Sequence, residues 1–375
     1  MAKPQFALKI AAALLAVCAA VWMVRHFSEP SYQGKLLSAW LDDGVRNGDM
    51  MWFGGESRGC DSQPAQAVLA VGPCGIPLLL SLLRGKDTAL QKKLRDLAQK
   101  YKWIPIDRHN PDDLHAMACY GFWVLGPAGK SAVPQLIILL DDDDAGVRTL
   151  AAYVLSFIGP ADTAALPALE KRLIALSQTI SPGGDWQGEA HGVLRAMGEM
   201  GPRARSALPQ ISLLSQPPSG AIAWARAARI KISGEGLDSA IGPLKNPSAI
   251  ADWRLARAVA TDLGTNAAPA VALLVANLQS TNEEVQSSAL FALAGIHAHP
   301  DLCLPAITDF LSSSNHLPRL PALLAICAFG RAATQWVSIS QITPCLTDDD
   351  GLRRQAATNA LRRLYPEAAA KLSVK

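Results

Sequence analysis

Apolar residues along most of this chain recur three and four positions apart, and the recurrence is interrupted at regular intervals. Over residues 145–158, Val147, Leu150, Ala151, Val154, Leu155 and Ile158 fall on one side of a helix. Over 166–178, Leu166, Leu169, Leu173 and Leu176 do the same. Gly159 separates the two stripes, and Pro167 opens the second. A glycine closing a helix is expected to take a left-handed conformation, and a proline in the first turn of the next helix loses no hydrogen bond. The closing slot returns at Gly72, Gly126, Gly159, Gly201, Gly234, Gly264, His297, Gly330 and Tyr365, mostly at intervals of about 33 residues. The prolines expected in opening turns are Pro134, Pro167, Pro209, Pro269 and Pro305.

A hairpin that is apolar on one side only cannot bury its stripe alone, so successive hairpins must stack. The pattern therefore predicts an all-α fold, an α-solenoid of about nine helical hairpins over residues 61–375. Residues 31–60 read as a linker and leading helix carrying Leu36, Leu37, Trp40 and Leu41. Two intervals are stretched. They add "KYKWIPIDRHN", ending at Asn110, and "TISPGGDWQGEAH", residues 179–191.

The first thirty residues follow another rule. Lys3 and Lys9 precede an uncharged run from Ile10 to Val24, and Arg25 follows it. Such a run spans about 22 Å as a helix, and Phe6 to Leu8 extend it toward the hydrocarbon thickness. A single N-terminal transmembrane helix over residues 1–30, an uncleaved signal anchor, is the expectation. Cleavage after Cys18-Ala19-Ala20 is the alternative, but Val21 to Val24 continue the apolar run past that site. Lys3 and Lys9 favour an N-terminus inside. The solenoid would then lie outside the cytoplasm, in the periplasm of a Gram-negative cell.

Composition narrows the function. Charged residues are 18% and aromatic residues 6% of the chain, and no run alternates as half-buried strands do. The net charge of +3 supplies no field to gather nucleic acid. Cys60 and Cys74 stand too far apart on a helical reading to be bridged, while Cys119 and Cys327 read as small core residues.

"DDDAGVRTLAAYVLSFIGPADTAALPALEKRL", residues 142–173, resembles a HEAT repeat of the short bacterial type, also found in phycobilisome-lyase-like proteins. "DDDGLRRQAATNALRRL", residues 348–364, repeats its opening. The whole chain is similar to membrane-anchored bacterial HEAT-repeat proteins of unassigned role, so the resemblance implies the superhelical fold and carries over no active site. Two departures stand out: Gln286 replaces the Arg of the opening, and Ser233 precedes Gly234 where an apolar residue is usual.

Several stretches invite a chemical reading. "LGPAGKSAVPQL", residues 125–136, contains Gly-Lys-Ser, but Val124 stands where a phosphate loop needs its first Gly, and no β-branched strand precedes it. No nucleotide is expected there. His297, His299, Asp301 and Cys303 are metal-competent but read as a turn. His109, Asp112, Asp113 and His115 open a helix, with Asp112 or Asp113 as its cap. Asp141 to Asp144 lack the alternating ligands of a calcium loop and read as a capped inter-repeat turn. No catalytic, cofactor or metal residue is assigned, and the chain is read as a non-enzyme.

The functional expectation is a membrane-anchored scaffold that binds protein partners in the cell envelope, with an open groove along the stack. Trp103 and Trp186, one in each stretched interval, are the partner-binding candidates, since aromatic side chains dominate binding hot spots. The alternative is a lyase- or isomerase-like enzyme, or a binder of a tetrapyrrole or other hydrophobic ligand, for which a closed pocket is expected.

Overall fold

The computed structural model describes residues 29–47, 62–86, 92–93, 96, 109–159, 163–178, 187–216, 219–311 and 318–371. Of the expected anchor, residues 1–30, all but the last two lie outside them. So do Trp103, Trp186 and Cys60.

The described chain opens with a two-residue hairpin, β1 (Ser31–Tyr32) and β2 (Lys35–Leu36), turned by Gln33 and Gly34 at φ +51° and +76°. The leading helix α1 (Leu37–Arg46) buries Leu37, Trp40 and Leu41. After it the helices come in pairs. The first members are α2 (Gln63–Val71), α4 (Pro111–Leu125), α6 (Ala145–Ile158), α8 (Gln187–Met200), α10 (Ile222–Ser233), α12 (Ile250–Leu263), α14 (Glu283–Ile296), α16 (Arg319–Phe329) and α18 (Gly351–Leu364). Their partners are α3 (Ile76–Leu83), α5 (Val133–Leu139), α7 (Leu166–Gln178), α9 (Leu208–Leu214), α11 (Leu237–Ile241), α13 (Val271–Asn277), α15 (Pro300–Thr308), α17 (Ile339–Ile342) and α19 (Pro366–Lys371). The expected nine hairpins are present among the described residues.

Burial follows the sequence stripes. Val147, Ala151, Val154, Leu155 and Ile158 of α6 are buried, as are Leu169, Leu173 and Leu176 of α7. Each Leu buried in this way contributes roughly 2 kcal/mol. Successive even-numbered helices pack directly on one another from α2 to α18. Small residues permit the close approach: a Cβ on Gly192 of α8 would stand 3.0 Å from the Ala152 Cβ of α6.

The closing slots are at positive φ from Gly72 through Gly330, His297 included. Their conformation differs from the expected one. Gly72, Gly126, Gly159, Gly264 and Gly330 have ψ between −128° and −151°, a region open to glycine alone, whereas Gly234 and His297 are left-handed helical. Two turns result. In the first, a 3-10 segment such as Gly126–Ala132, Gly201–Ala207 or Gly264–Ala270 leads straight into the partner helix. In the second, two left-handed residues stand two apart, Gly234 with Gly236 and His297 with His299. Tyr365, at φ −134°, ψ 64°, fills the closing slot without a positive φ and is followed directly by α19.

Three further expectations are corrected. Pro269 falls within the 3-10 segment and Pro305 inside α15, not in opening turns, because the turn preceding each partner helix has its own length. The cap of α4 is Asn110, one residue before Pro111; its side chain and that of Asp113 accept reciprocally from backbone N–H groups. Gln286 replaces Arg without losing the interaction. Arg148 donates to the Asp142 and Asp143 carbonyls, Arg354 to those of Asp348 and Asp349, and Gln286 Nε2 to Leu278 and Ser280 at 3.2 and 2.7 Å.

Three described helical stretches are apolar and long enough to cross a membrane, Gln63–Leu83, Pro111–Leu139 and Ile250–Asn277. Each is a first helix, its glycine turn and its partner, packed within the stack. The two ends of the stack also meet. Gln355 Nε2 of α18 donates to the Arg46 carbonyl and Arg362 Nη1 to Asn47 Oδ1, both at 3.4 Å. These two hydrogen bonds bring α18 into contact with the end of α1.

Candidate functional site on the inner wall

Four successive even-numbered helices each send one side chain to a common point. Tyr153 of α6 donates its hydroxyl toward Nδ1 of His191 on α8, at 2.7 Å. His191 Nε2 lies 3.0 Å from Asp262 Oδ1 of α12. The imidazole stacks on Trp224 of α10, centroids 4.7 Å apart and planes 10° from parallel. His191 thus reaches past one helix to touch the next. That reach requires the even-numbered helices to line the inside of the curve, where their faces converge.

Electrostatics set the state of the two outer groups. Burial alone would raise the Asp262 carboxyl, but the His191 hydrogen bond and the charges of His191, Lys231 and Arg195 hold it below the usual carboxylate range. An ionised Asp262 accepts from Nε2–H, and Nδ1 on the other side of the ring meets the Tyr153 hydroxyl. Burial pushes the Tyr153 phenol up to about 12. At neutral pH the phenol is therefore a donor and not a base. Around this chain lie an ion pair of Lys231 with Glu199 at 2.9 Å and the Arg195 guanidinium 6.0 Å above the Phe157 ring.

Chemically, the order hydroxyl, imidazole, carboxylate is the order of a nucleophile, its base and an orienting acid. Here both imidazole nitrogens are engaged by protein, so the firm consequence is mechanical: one hydrogen-bonded chain ties α6, α8 and α12. A second tie lies at the start of α8. Glu189, 2% exposed, receives Arg148 Nε at 3.1 Å and Arg172 Nε at 2.8 Å.

The stretches singled out in the sequence go elsewhere. Lys130 and Ser131 are exposed on a 3-10 turn that follows α4 and not a strand. His109 Nε2 lies 3.1 Å from Asp42 Oδ1 and links α1 to the start of α4, while the His115 Nε2 is buried without a hydrogen bond. His297 Nδ1 bonds the Gly295 carbonyl, His299 precedes Pro300 in left-handed conformation, and Cys303 Sγ contacts the Ala298 carbonyl. Among the described residues no three His, Cys, Asp or Glu side chains converge on a metal position. Asp144 caps α6 through Gly146 and Val147 N–H. Cys119 and Cys327 are core or near-core thiols that burial pushes up to about 12.

The inner-wall quartet escaped the sequence reading, although His191 ends the stretch 179–191 already marked as distinctive. Its members are spread over four repeats. The available signal was a run of polar and aromatic residues on the even-numbered helices at equivalent distances before each closing slot: Tyr153 and Arg195, His191 and Trp224, Glu199 and Asp262.

This is a helical repeat protein. No family model matches its sequence, and no curated protein does. Among solved structures it is similar to the complex of CpcE and CpcF of phycocyanin lyase from Nostoc sp. PCC7120, with 17% identity, coverage of 89% of this chain and 96% of that one, and a TM-score of 0.38. Two engineered proteins are also similar. One has 20% identity over 62% of this chain and 95% of its own, at TM-score 0.33. The other has 18% identity over 86% and 98%, at TM-score 0.32.

Proposed function

We propose that this chain is a HEAT-type scaffold that holds a protein partner in the cell envelope, tethered through residues 1–30 with its stack outside the cytoplasm. The observation that supports it is an exposed apolar position on each of three successive outer helices. Ile138 of α5, Ile174 of α7 and Leu213 of α9 are 61%, 42% and 65% exposed. Large aliphatic side chains repeated along one layer are the material of an interface. Photo-crosslinking residues placed at 138 and 213 in living cells test the reading. One recurring envelope protein, lost when Leu213→Asp is added, is the expected result; no product at either position overturns it. The tryptophans of the stretched intervals belong to the same proposal: Trp103→Ala and Trp186→Ala each weaken capture of that protein by about 1 to 3 kcal/mol.

The second reading, an enzyme or a binder of a tetrapyrrole or other hydrophobic ligand, draws on the inner wall. Trp224 and His191 offer a stacking face beside the Tyr153 hydroxyl. Visible absorbance that copurifies with the protein and disappears in Trp224→Ala would favour it over the scaffold.

A further inference from the structure

The fifth hairpin, α10 with α11, borders a cavity. Its first helix, α10, ends at left-handed Gly234, and Gly236 is left-handed again at φ +88°. The partner helix α11 then runs only from Leu237 to Ile241 before a 3-10 turn. A cavity of about 490 Å3 opens to solvent between α9, α10 and α11. It is lined by Ser212, Ser215, Gln216, Arg226, Arg229, Ser239 and Ala240. Two arginines line it and no lining residue is acidic; the Ser215 and Ser239 hydroxyls donate to the Ile211 and Gly236 carbonyls, which leaves Ser212 and Gln216 as the other side-chain donors.

Both arginines are held for the purpose. Arg226 Nε donates to the Ser215 carbonyl at 3.3 Å, which restrains its plane beside the cavity that it lines. Arg229 pairs with no carboxylate among the described residues. Its Nη2 lies 3.0 Å from the place where a Cβ on Gly236 would be, so the guanidinium rests against the glycine whose positive φ the turn requires. Glu235 and Asp238 are exposed neighbours in sequence and do not line the cavity.

We propose that this cavity binds the phosphoryl group of a small phosphate ester. Guanidinium forks match phosphate oxygens two at a time, and the Ser212 hydroxyl and the Gln216 amide add donors beside them. The volume lies in the range of small-molecule sites and exceeds what a bare phosphate fills, so the ester's organic part has room. The phosphate can come from a free metabolite or from a lipid headgroup.

Calorimetric titration of the full chain with inorganic phosphate, glycerol 3-phosphate and soluble dihexanoyl phosphatidic acid tests the site. One saturable site per chain is expected, tighter for an ester than for inorganic phosphate. Arg229→Gln, which keeps the aliphatic stem, weakens it at least tenfold, and Ser212→Ala weakens it less; both variants keep the wild-type melting curve. Arg254→Ala, which removes an exposed arginine on α12, leaves it unchanged. Preference for glycerol 3-phosphate supports the site with a free metabolite as source, and preference for phosphatidic acid supports it with a lipid. Absence of saturation by all three probes, or equal weakening by Arg254→Ala, overturns the proposal.

Discussion

At the scale of single residues, the closing slots separate two demands that sequence alone merges. Gly159 at φ +68°, ψ −151° and Gly234 at φ +76°, ψ +6° have open space around them, so a substitution there tests backbone strain alone. Asparagine tolerates the left-handed helical region and not the other. Gly159→Asn should therefore cost about 2 kcal/mol and Gly234→Asn less than about 1 kcal/mol, as read from urea melts. Equal costs would remove the distinction between the two turns. Position of the slots was legible from the period; ψ was not, because it depends on whether a 3-10 segment follows. A charged residue gives the second prediction. Burial would raise the Asp348 carboxyl, but the Asp350 N–H and the guanidiniums of Arg353 and Arg319 hold it far below the usual carboxylate range. A depressed folded pKa adds stability that is fully present above the unfolded value of about 4 and lost as pH falls through the folded one. Wild type should lose stability as pH drops below about 4, and Asp348→Asn should melt several degrees lower at pH 7 and show a shallower acid slope. An unchanged slope would place the ionisation elsewhere.

At the scale of elements, the tie between a first helix and the loop before it is made one residue at a time and survives substitution. Arg148, Gln286 and Arg354 all stand four residues after the helix cap, and all donate to carbonyls of the preceding turn. The sequence marked Gln286 as a departure because a residue-type pattern sees only the lost charge. The geometry needs a donor, and glutamine supplies one. Gln286→Ala should cost about 1 to 2 kcal/mol, the worth of two hydrogen bonds, while Gln286→Arg should be nearly neutral; thermal melts of both decide. The helices themselves were readable from their stripes, since packing of an apolar face has a period. The short α11 was not. Its only advance sign was Ser233 ahead of Gly234, and whether an outer helix is cut to five residues depends on the two left-handed turns that follow, which no stripe announces.

At the scale of the whole molecule, curvature is a sum of small rotations between neighbouring repeats, and a sum over nine units is not encoded in any one of them. That is why the number of hairpins could be anticipated and the closure could not. The closure also explains the inner wall, since only strong curvature brings Asp262 of α12 within 3.0 Å of His191 on α8 across the intervening α10. If the ends are in contact, cysteines placed at 46 and 355 in a chain with Cys74→Ser should be joined within one molecule by a short bis-maleimide, and mass spectrometry should recover the linked pair of peptides. His191→Ala should reduce that yield, because removing the imidazole releases α8 from both α6 and α12 and lets the curve relax. Loss of the crosslink without any loss of helix content would make the inner-wall quartet the element that sets curvature. An undiminished crosslink in His191→Ala would show instead that helix packing alone closes the ring, leaving the quartet free for a ligand.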